Sequence, residues 1–163
     1  MRARYTAGTM DHLLRPVLPA HFAVIAGWLD SPAATRRWAG SGVPFPLPAD
    51  AFAAALGLPA RPGWALLNAA GACVGFGQYW QSAPGCIHLG RIIVAPHARG
   101  RGLGSVLMTR LCAEAVRHAD VVQLTLNVYR DNAAALALYR DLGFVGSEDA
   151  STPELLFMRR RVD

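Results

Sequence analysis

The sequence predicts one α/β domain spanning residues 1–163, a mixed and mostly antiparallel sheet flanked by helices, and three observations predict it. The run "WALLNAAGACVGFGQYW", the turn "SAPG" and the run "CIHLGRIIVA" make a meander of three strands, with a tight turn at Asn68–Gly71. A helical segment, "LGSVLMTRLCAEAVRHA", then leads to the strand "VVQLTLNV", and a helical crossover makes that strand parallel to the one before it. Between them lies "VAPHARGRGLGSVLM", three glycines and two arginines at the start of a helix.

The remaining elements follow in order. "LLRPVLP" alternates weakly, as a first strand does. "AHFAVIAGWLDSP" places Phe22, Ile25, Ala26 and Leu29 on one helical stripe. "TRRWAGSGVPFPLPAD" is rich in Pro and Gly and reads as a loop with a short helical turn; its aromatic and flexible character is that of an acceptor-site loop, with Trp38 and Phe45 as core plugs the alternative. "DAFAAALGL" is a helix stopped by Gly57 and Pro59. After the glycines, Leu103, Leu107, Leu111 and Ala115 recur every fourth residue, with Arg110 and Glu114 paired on the wet side. "DNAAALALYRDLGF" is the last helix, capped by Asn132, buried through Leu138 and Leu142 and stopped at Gly143; "PELLFMRRRVD" closes the sheet.

Composition narrows the classes. With 53% hydrophobic residues in 163, the chain can bury one sizeable core. All sixteen basic residues are arginines against eleven acidic ones, a net charge of +5. Arginine suits anion recognition, although Ala, Gly and Pro are abundant too, as genome composition alone would produce. The arginines are too scattered for a nucleic-acid face, and Arg159–Arg161 reads as a solvated strand end. Three separated cysteines, Cys73, Cys86 and Cys112, match neither a disulfide framework nor a zinc site, so no metal is expected and a cytoplasmic location is. Arg2 and Arg4 are followed by Asp11, His12, Arg15 and Pro16, which interrupt any signal-peptide core, and no membrane span is expected.

A strand that ends in glycines and enters a helix leaves main-chain N–H groups free and attracts anions. Arg99 and Arg101 add charge, so the loop reads as a phosphate cradle; a tight packing turn is the alternative. A P-loop is excluded because the chain has no lysine. The dinucleotide fingerprint is excluded because Ser105 stands where its third glycine belongs and because an antiparallel meander precedes the loop.

These residues resemble the GCN5-related N-acetyltransferase (GNAT) family. Arg99-Gly100-Arg101-Gly102-Leu103-Gly104 matches its (R/Q)-x-x-G-x-(G/A) signature, and Asn132 with Tyr139 ahead of Leu142-Gly143-Phe144 matches a second block. The strong match runs from about Ile87 to Gly146. The resemblance implies the acyl-CoA N-acyltransferase fold, with acetyl-CoA as co-substrate. It puts the pyrophosphate on Gly100, Arg101, Gly102, Leu103, Gly104 and Ser105, with Arg99 opening the signature. The pantetheine arm falls along Ile92, Ile93 and Val94, which requires the fourth strand to splay from the fifth. Asn132 and Tyr139, seven residues apart, fall on one helical stripe: Asn132 either caps the helix or also touches pantetheine, and Tyr139 is either a core-edge tyrosine or the group at the sulfur.

In the implied reaction Tyr139 gives a hydrogen bond or proton to the thiolate, a main-chain N–H near Val94 meets the oxyanion, and the base is open. Glu114, Glu148 and Glu154 lie outside the strands that line the site, and Asn127 stands where some relatives carry Glu. His88 is the candidate base, on a strand face with Gly90, Ile92 and Val94; a structural histidine is the alternative. The expected partners are acetyl-CoA and a primary amine, with neither nucleic acid nor membrane, in a monomer or homodimer. A non-catalytic acyl-CoA-binding domain is the rival reading.

Overall fold

Turn chemistry sets up the meander. The computed structural model describes residues 11–118 and 120–163, so the reading of Arg2 and Arg4 lies outside the described residues. Strands β2 (Gly63–Leu67), β3 (Cys73–Ala83) and β4 (Cys86–Val94) pair antiparallel in sequence order. At the first turn the Asn68 side chain accepts hydrogen bonds from the main-chain N–H groups of Ala70 (3.1 Å) and Ala72 (2.9 Å), and Gly71 takes a left-handed φ of +81°.

Strand β1 (Leu13–Pro16) adds to the outer edge of β2, and β5 (Gln123–Tyr129) lies parallel to β4 after the crossover helix α4 (Leu103–Ala115). The closing strand β7 (Leu155–Arg161) pairs with β5 on one side and, on the other, with a two-residue strand β6 (Val145–Gly146) that the sequence reading did not separate. The sheet order is β1-β2-β3-β4-β5-β7-β6, with β4–β5 its one parallel pair, as expected.

Helices cover both faces. On one face α4 and α5 (Ala133–Asp141) pack on the inward residues of β4, β5 and β7; Leu103, Leu107, Leu111 and Ala115 are all at most 5% exposed, so the four-residue period found the buried stripe. On α5 the buried residue is Tyr139, while Leu138 and Leu142 are half-buried against the same cluster. The exposed pair on α4 joins Glu114 to Arg117 (3.3 Å), not to Arg110: one turn towards the C-terminus Arg117 meets the same carboxylate.

The other face carries α1 (Pro19–Ala26), α2 (Pro32–Ala39) and α3 (Ala49–Leu56). Phe22 stacks on Phe52 (4.5 Å between centroids), and Phe52 meets Phe76 edge-on (5.8 Å), tying α1 and α3 to β3. The loop expected over "TRRWA" is the end of α2. Ser31 caps that helix through a bond from the Ala34 N–H (3.0 Å), Pro32 occupies its first turn, and Gly40 (φ +84°) stops it.

Candidate functional site

Strands β4 and β5 begin together and part. Cys86–Leu89 pair with Gln123–Leu126, and beyond Leu89 the two strands share no further pairing: β4 continues along β3, and β5 along β7. The cause is a bulge in β4. Gly90 opposes Gln78 and Ile93 opposes Phe76, so Arg91 and Ile92 together face Gly77, and Arg91 takes a φ of +54°. A left-handed arginine is strained by about 1 to 3 kcal/mol. Its side chain offsets that by donating from Nη1 to the Leu56 carbonyl (2.9 Å) and to Gln78 Oε1 (3.0 Å). Gln78, fully buried, donates in turn to the carbonyls of Leu56 (3.1 Å) and Arg61 (3.0 Å).

The bulge also corrects the expected strand face. His88 and Gly90 point to the α1–α3 side with Trp80, but after Arg91 the alternation inverts: Ile93 joins the core under α1 and α3, while Ile92 meets Leu111 and Val94 packs towards the start of α4. Main-chain direction follows the same logic. The Ala95 N–H donates to Val74 on β3 (2.9 Å), so the neighbouring Val94 turns its N–H and carbonyl towards the gap, and Ile92, two residues earlier, does likewise. Ile93 turns its main chain to β3. The free edge of β4 is therefore Ile92 and Val94.

The gap opens into a cavity of about 350 Å³ bounded by β4, β5, α2 and α5. At the end of β4 the chain makes a 3-10 turn (Pro96–Ala98) and then the glycine loop, with Gly100 (φ +77°) and Gly102 (φ +78°) both left-handed and open space where their side chains would be. Gly102 caps α4 without any side-chain acceptor, and the first hydrogen bond of the helix runs from Val106 N–H to Gly102 (3.3 Å). The N–H groups of Leu103, Gly104 and Ser105 thus have no helical acceptor. Arg99 donates through Nε to the Val94 carbonyl (3.1 Å), tying the loop to the β4 edge.

Asn132 and Tyr139 both line the cavity from α5, as their seven-residue spacing requires. Asn132 caps its helix, its Oδ1 accepting from Ala135 N–H (3.2 Å), so the capping role is real and the amide nitrogen is left over. Burial pushes the Tyr139 hydroxyl up to about 12, and the nearby Cys112 adds to it.

His88 lines the same cavity from the opposite side. Its Nδ1 shares a 2.8 Å hydrogen bond with Thr125 Oγ1, and its ring lies between Trp80 (5.2 Å) and Phe157 (6.4 Å, nearly parallel). Burial, and then the charge of Arg61, hold the imidazole below its ordinary value, so it is neutral near pH 7. Gly90 makes room for this arrangement: a Cβ there would stand 2.7 Å from the Trp80 ring.

Further residues complete the wall. Arg61 stacks over Trp80 (4.6 Å), and Arg36, Arg37 and Trp38 reach the cavity from α2. An adjoining hollow of about 640 Å³ lies between α2, the end of β5 and Pro153–Glu154. Arg37 spans the two, stacked over Tyr129 (4.2 Å) and paired with Asp131 (2.7 Å). Arg36, Arg37 and Trp38 belong to the stretch whose aromatic and flexible character is that of an acceptor-site loop, whereas no local pattern marks Arg61, which only the fold brings to them. Glu154 borders the hollow but not the cavity where β4 and β5 part, the notch, and Glu114 and Glu148 border neither, as the sequence reading placed them.

A strand pair that parts beside a bulge, next to a glycine-rich helix start with free N–H groups, is the arrangement that the resemblance to the N-acyltransferase fold implied. The model of the acetyltransferase (GNAT) family matches residues 27–144, and the chain belongs to that family. An N-alpha-acetyltransferase MAK3 of Arabidopsis thaliana is 34% identical over 107 residues, covering 56% of this chain and 55% of that protein, so the chain spans about half the length of this relative. The spermidine N-acetyltransferase of Vibrio cholerae in complex with CoA and spermine superposes with a TM-score of 0.77 at 16% identity, over 93% of this chain and 96% of that one. The protein yncA of Salmonella typhimurium with its cofactor acetyl-CoA does so with a TM-score of 0.70 at 23% identity, over 94% and 95%. At such identities the likeness is one of fold. Among the described residues no helix is long and apolar enough to cross a membrane, and no group of His, Cys, Asp or Glu could hold a metal ion.

Proposed function

We propose that this protein transfers an acetyl group from acetyl-CoA to a primary amine. One observation carries the reading: the edge of β4 at Ile92 and Val94, to which no strand pairs, runs directly into a helix start whose N–H groups are free and whose left-handed glycines leave room for a ligand. The residues fit acetyl-CoA. The N–H groups from Gly100 to Ser105 would hold the pyrophosphate, Arg99 would fix that loop through Val94, and the edge of β4 would pair with the pantetheine amides, with the Asn132 amide nitrogen at hand.

Acetyl-CoA supplies a thioester carbonyl open to attack and a thiolate that leaves. The chain supplies the proton handling. The Val94 N–H, turned into the gap, is placed to meet negative charge on the carbonyl oxygen. Tyr139 holds its proton at the hydroxyl. Against a thiol of about 8.5, complete transfer from a phenol raised to about 12 is uphill by roughly 5 kcal/mol, so Tyr139 acts as a hydrogen-bond donor more than as a full acid. Across the gap, His88 with Nδ1–H donating to Thr125 keeps the Nε2 lone pair to take a proton from the attacking amine, directly or through water.

The test is acetyl-CoA consumption over a panel of amino acids, polyamines, aminoglycosides and peptide N-termini, repeated with Tyr139→Phe. The variant should lower kcat by roughly 10- to 1000-fold with a similar KM for acetyl-CoA. Stabilisation by acetyl-CoA with no turnover on any amine would instead leave a binding domain, and an unaltered kcat would leave Tyr139 a packing residue.

A further inference from the structure

The acceptor side of the notch is built from arginines. Arg36 and Arg37 reach it from α2, Arg61 from the segment after α3, and Arg91 from the bulge; Arg130 borders the adjoining hollow. Carboxylates are few there. Asp131 and Glu154 border the hollow, and Asp131 is already bound by Arg37 at 2.7 Å. Arg91 is committed to Leu56 and Gln78, and Arg130 to Glu148 at 2.7 Å. Two guanidinium groups are left without a carboxylate partner among the described residues: Arg36, exposed at the end of α2, and Arg61, over the Trp80 ring at 4.6 Å.

From this distribution, and resting on the acetyltransferase reading above, we infer that the acceptor is an amine that also carries an oxyanionic group, a carboxylate or a phosphate, held by Arg36 and Arg61 beside the notch. An acceptor whose charges are all positive, such as a polyamine, would meet repulsion on this wall without a carboxylate row to receive it. An anionic group answers the two unpaired guanidinium forks, whose planar geometry suits bidentate contact. The charge of the wall has a second effect. Held near arginines, the attacking ammonium loses its proton more readily, which suits a site whose proton acceptor is a neutral imidazole and which has no carboxylate in the notch. Arg61 and His88 line the same notch, and the charge of Arg61, after burial, favours the neutral imidazole.

The experiment compares kcat/KM for L-α-amino acids with that for their carboxamides and for aminoalkyl phosphonates, beside spermidine, at low and high salt. It also measures thermal stabilisation of the CoA-bound protein by the same compounds, which needs no turnover. The free acids or phosphonates should exceed the matched carboxamides by about tenfold or more, with the advantage shrinking as salt rises. In Arg36→Gln/Arg61→Gln, both changes at exposed positions, that ratio should collapse towards one. The better of the carboxylate and phosphonate arms names the anion. Preference for spermidine or the carboxamides overturns the inference while leaving the acetyltransferase reading intact. So does a double variant that keeps the ratio and loses affinity for CoA, which would assign the arginines to the donor. Failure of every amine to react or to stabilise the CoA-bound protein overturns both.

Discussion

His88 and Tyr139 face the same notch from opposite sheet faces, and burial moves each towards its neutral form. For an imidazole that means a lower value, because the cation is what burial disfavours; for a phenol it means a higher one. The sign decides the pH dependence. As the proton acceptor proposed above, His88 would act when neutral, so the rate should hold from neutrality downward and fall only at a pH below the ordinary histidine value of about 6.5. In His88→Gln that acid limb should vanish along with roughly 10- to 100-fold of the rate. A pH–rate profile with the same limb in both proteins would return His88 to a structural role. The spacing of Asn132 and Tyr139 was legible because both lie on one helix. That Ile92 and Val94 leave the face of His88 was not, because one residue inserted at Arg91 inverts the strand beyond it and no local pattern announces a bulge held by Gln78 and the carbonyl of Leu56.

At the level of elements, the glycine loop and α4 act as one unit. Gly104 stands in the first turn of the helix, and a Cβ there would approach Leu138 no closer than 3.4 Å, so the position accepts a side chain. A carboxylate in a first helical turn is stabilising by about 0.3 to 1 kcal/mol. Gly104→Glu should therefore fold as well as the parent yet repel a pyrophosphate. The expected outcome is an unchanged or slightly raised melting temperature without ligand, and loss of the rise caused by acetyl-CoA, which at a hundredfold excess over Kd amounts to about 2.7 kcal/mol in the parent. Undiminished stabilisation by acetyl-CoA would remove the loop from the donor site. Helix α2 teaches the converse about legibility: Ser31-Pro32 is a start signal and Gly40 a stop, but Pro44, Pro46 and Pro48 just beyond drew the whole stretch into a loop reading.

The molecule as a whole should be weakened by alkali in a window set by its buried acids. Burial raises Cys73 and Cys112 to about 11 and Tyr139 to about 12. Each favours its neutral form in the fold, so its contribution is fully present below the unfolded values of about 8.5 and 10 and is lost as pH rises through the folded ones. Because every basic side chain is arginine, no lysine titrates in the same window. Unfolding free energy in urea should drop between about pH 8 and pH 11 by on the order of 2 kcal/mol per buried thiol, and Cys112→Ala should flatten that slope. A parent curve flat across the range would mean the thiols ionise as freely in the fold as outside it.

What the sequence determined by itself was everything carried by short-range pattern: the meander, the parallel crossover, the buried stripe of α4, the glycine loop and the helix that bears Asn132 and Tyr139. These rest on periodicity, turn chemistry and spacing, which act between residues a few positions apart. Only the tertiary structure decided where β4 leaves β5, which face His88 occupies and which arginines surround the acceptor side. Each of those depends on residues far apart in the chain: Gln78 with Arg91 and Leu56, His88 with Thr125, and Arg36 with Arg61. Such groupings exist only once the sheet has closed, since loop-closing contacts leave no period in the sequence that makes them.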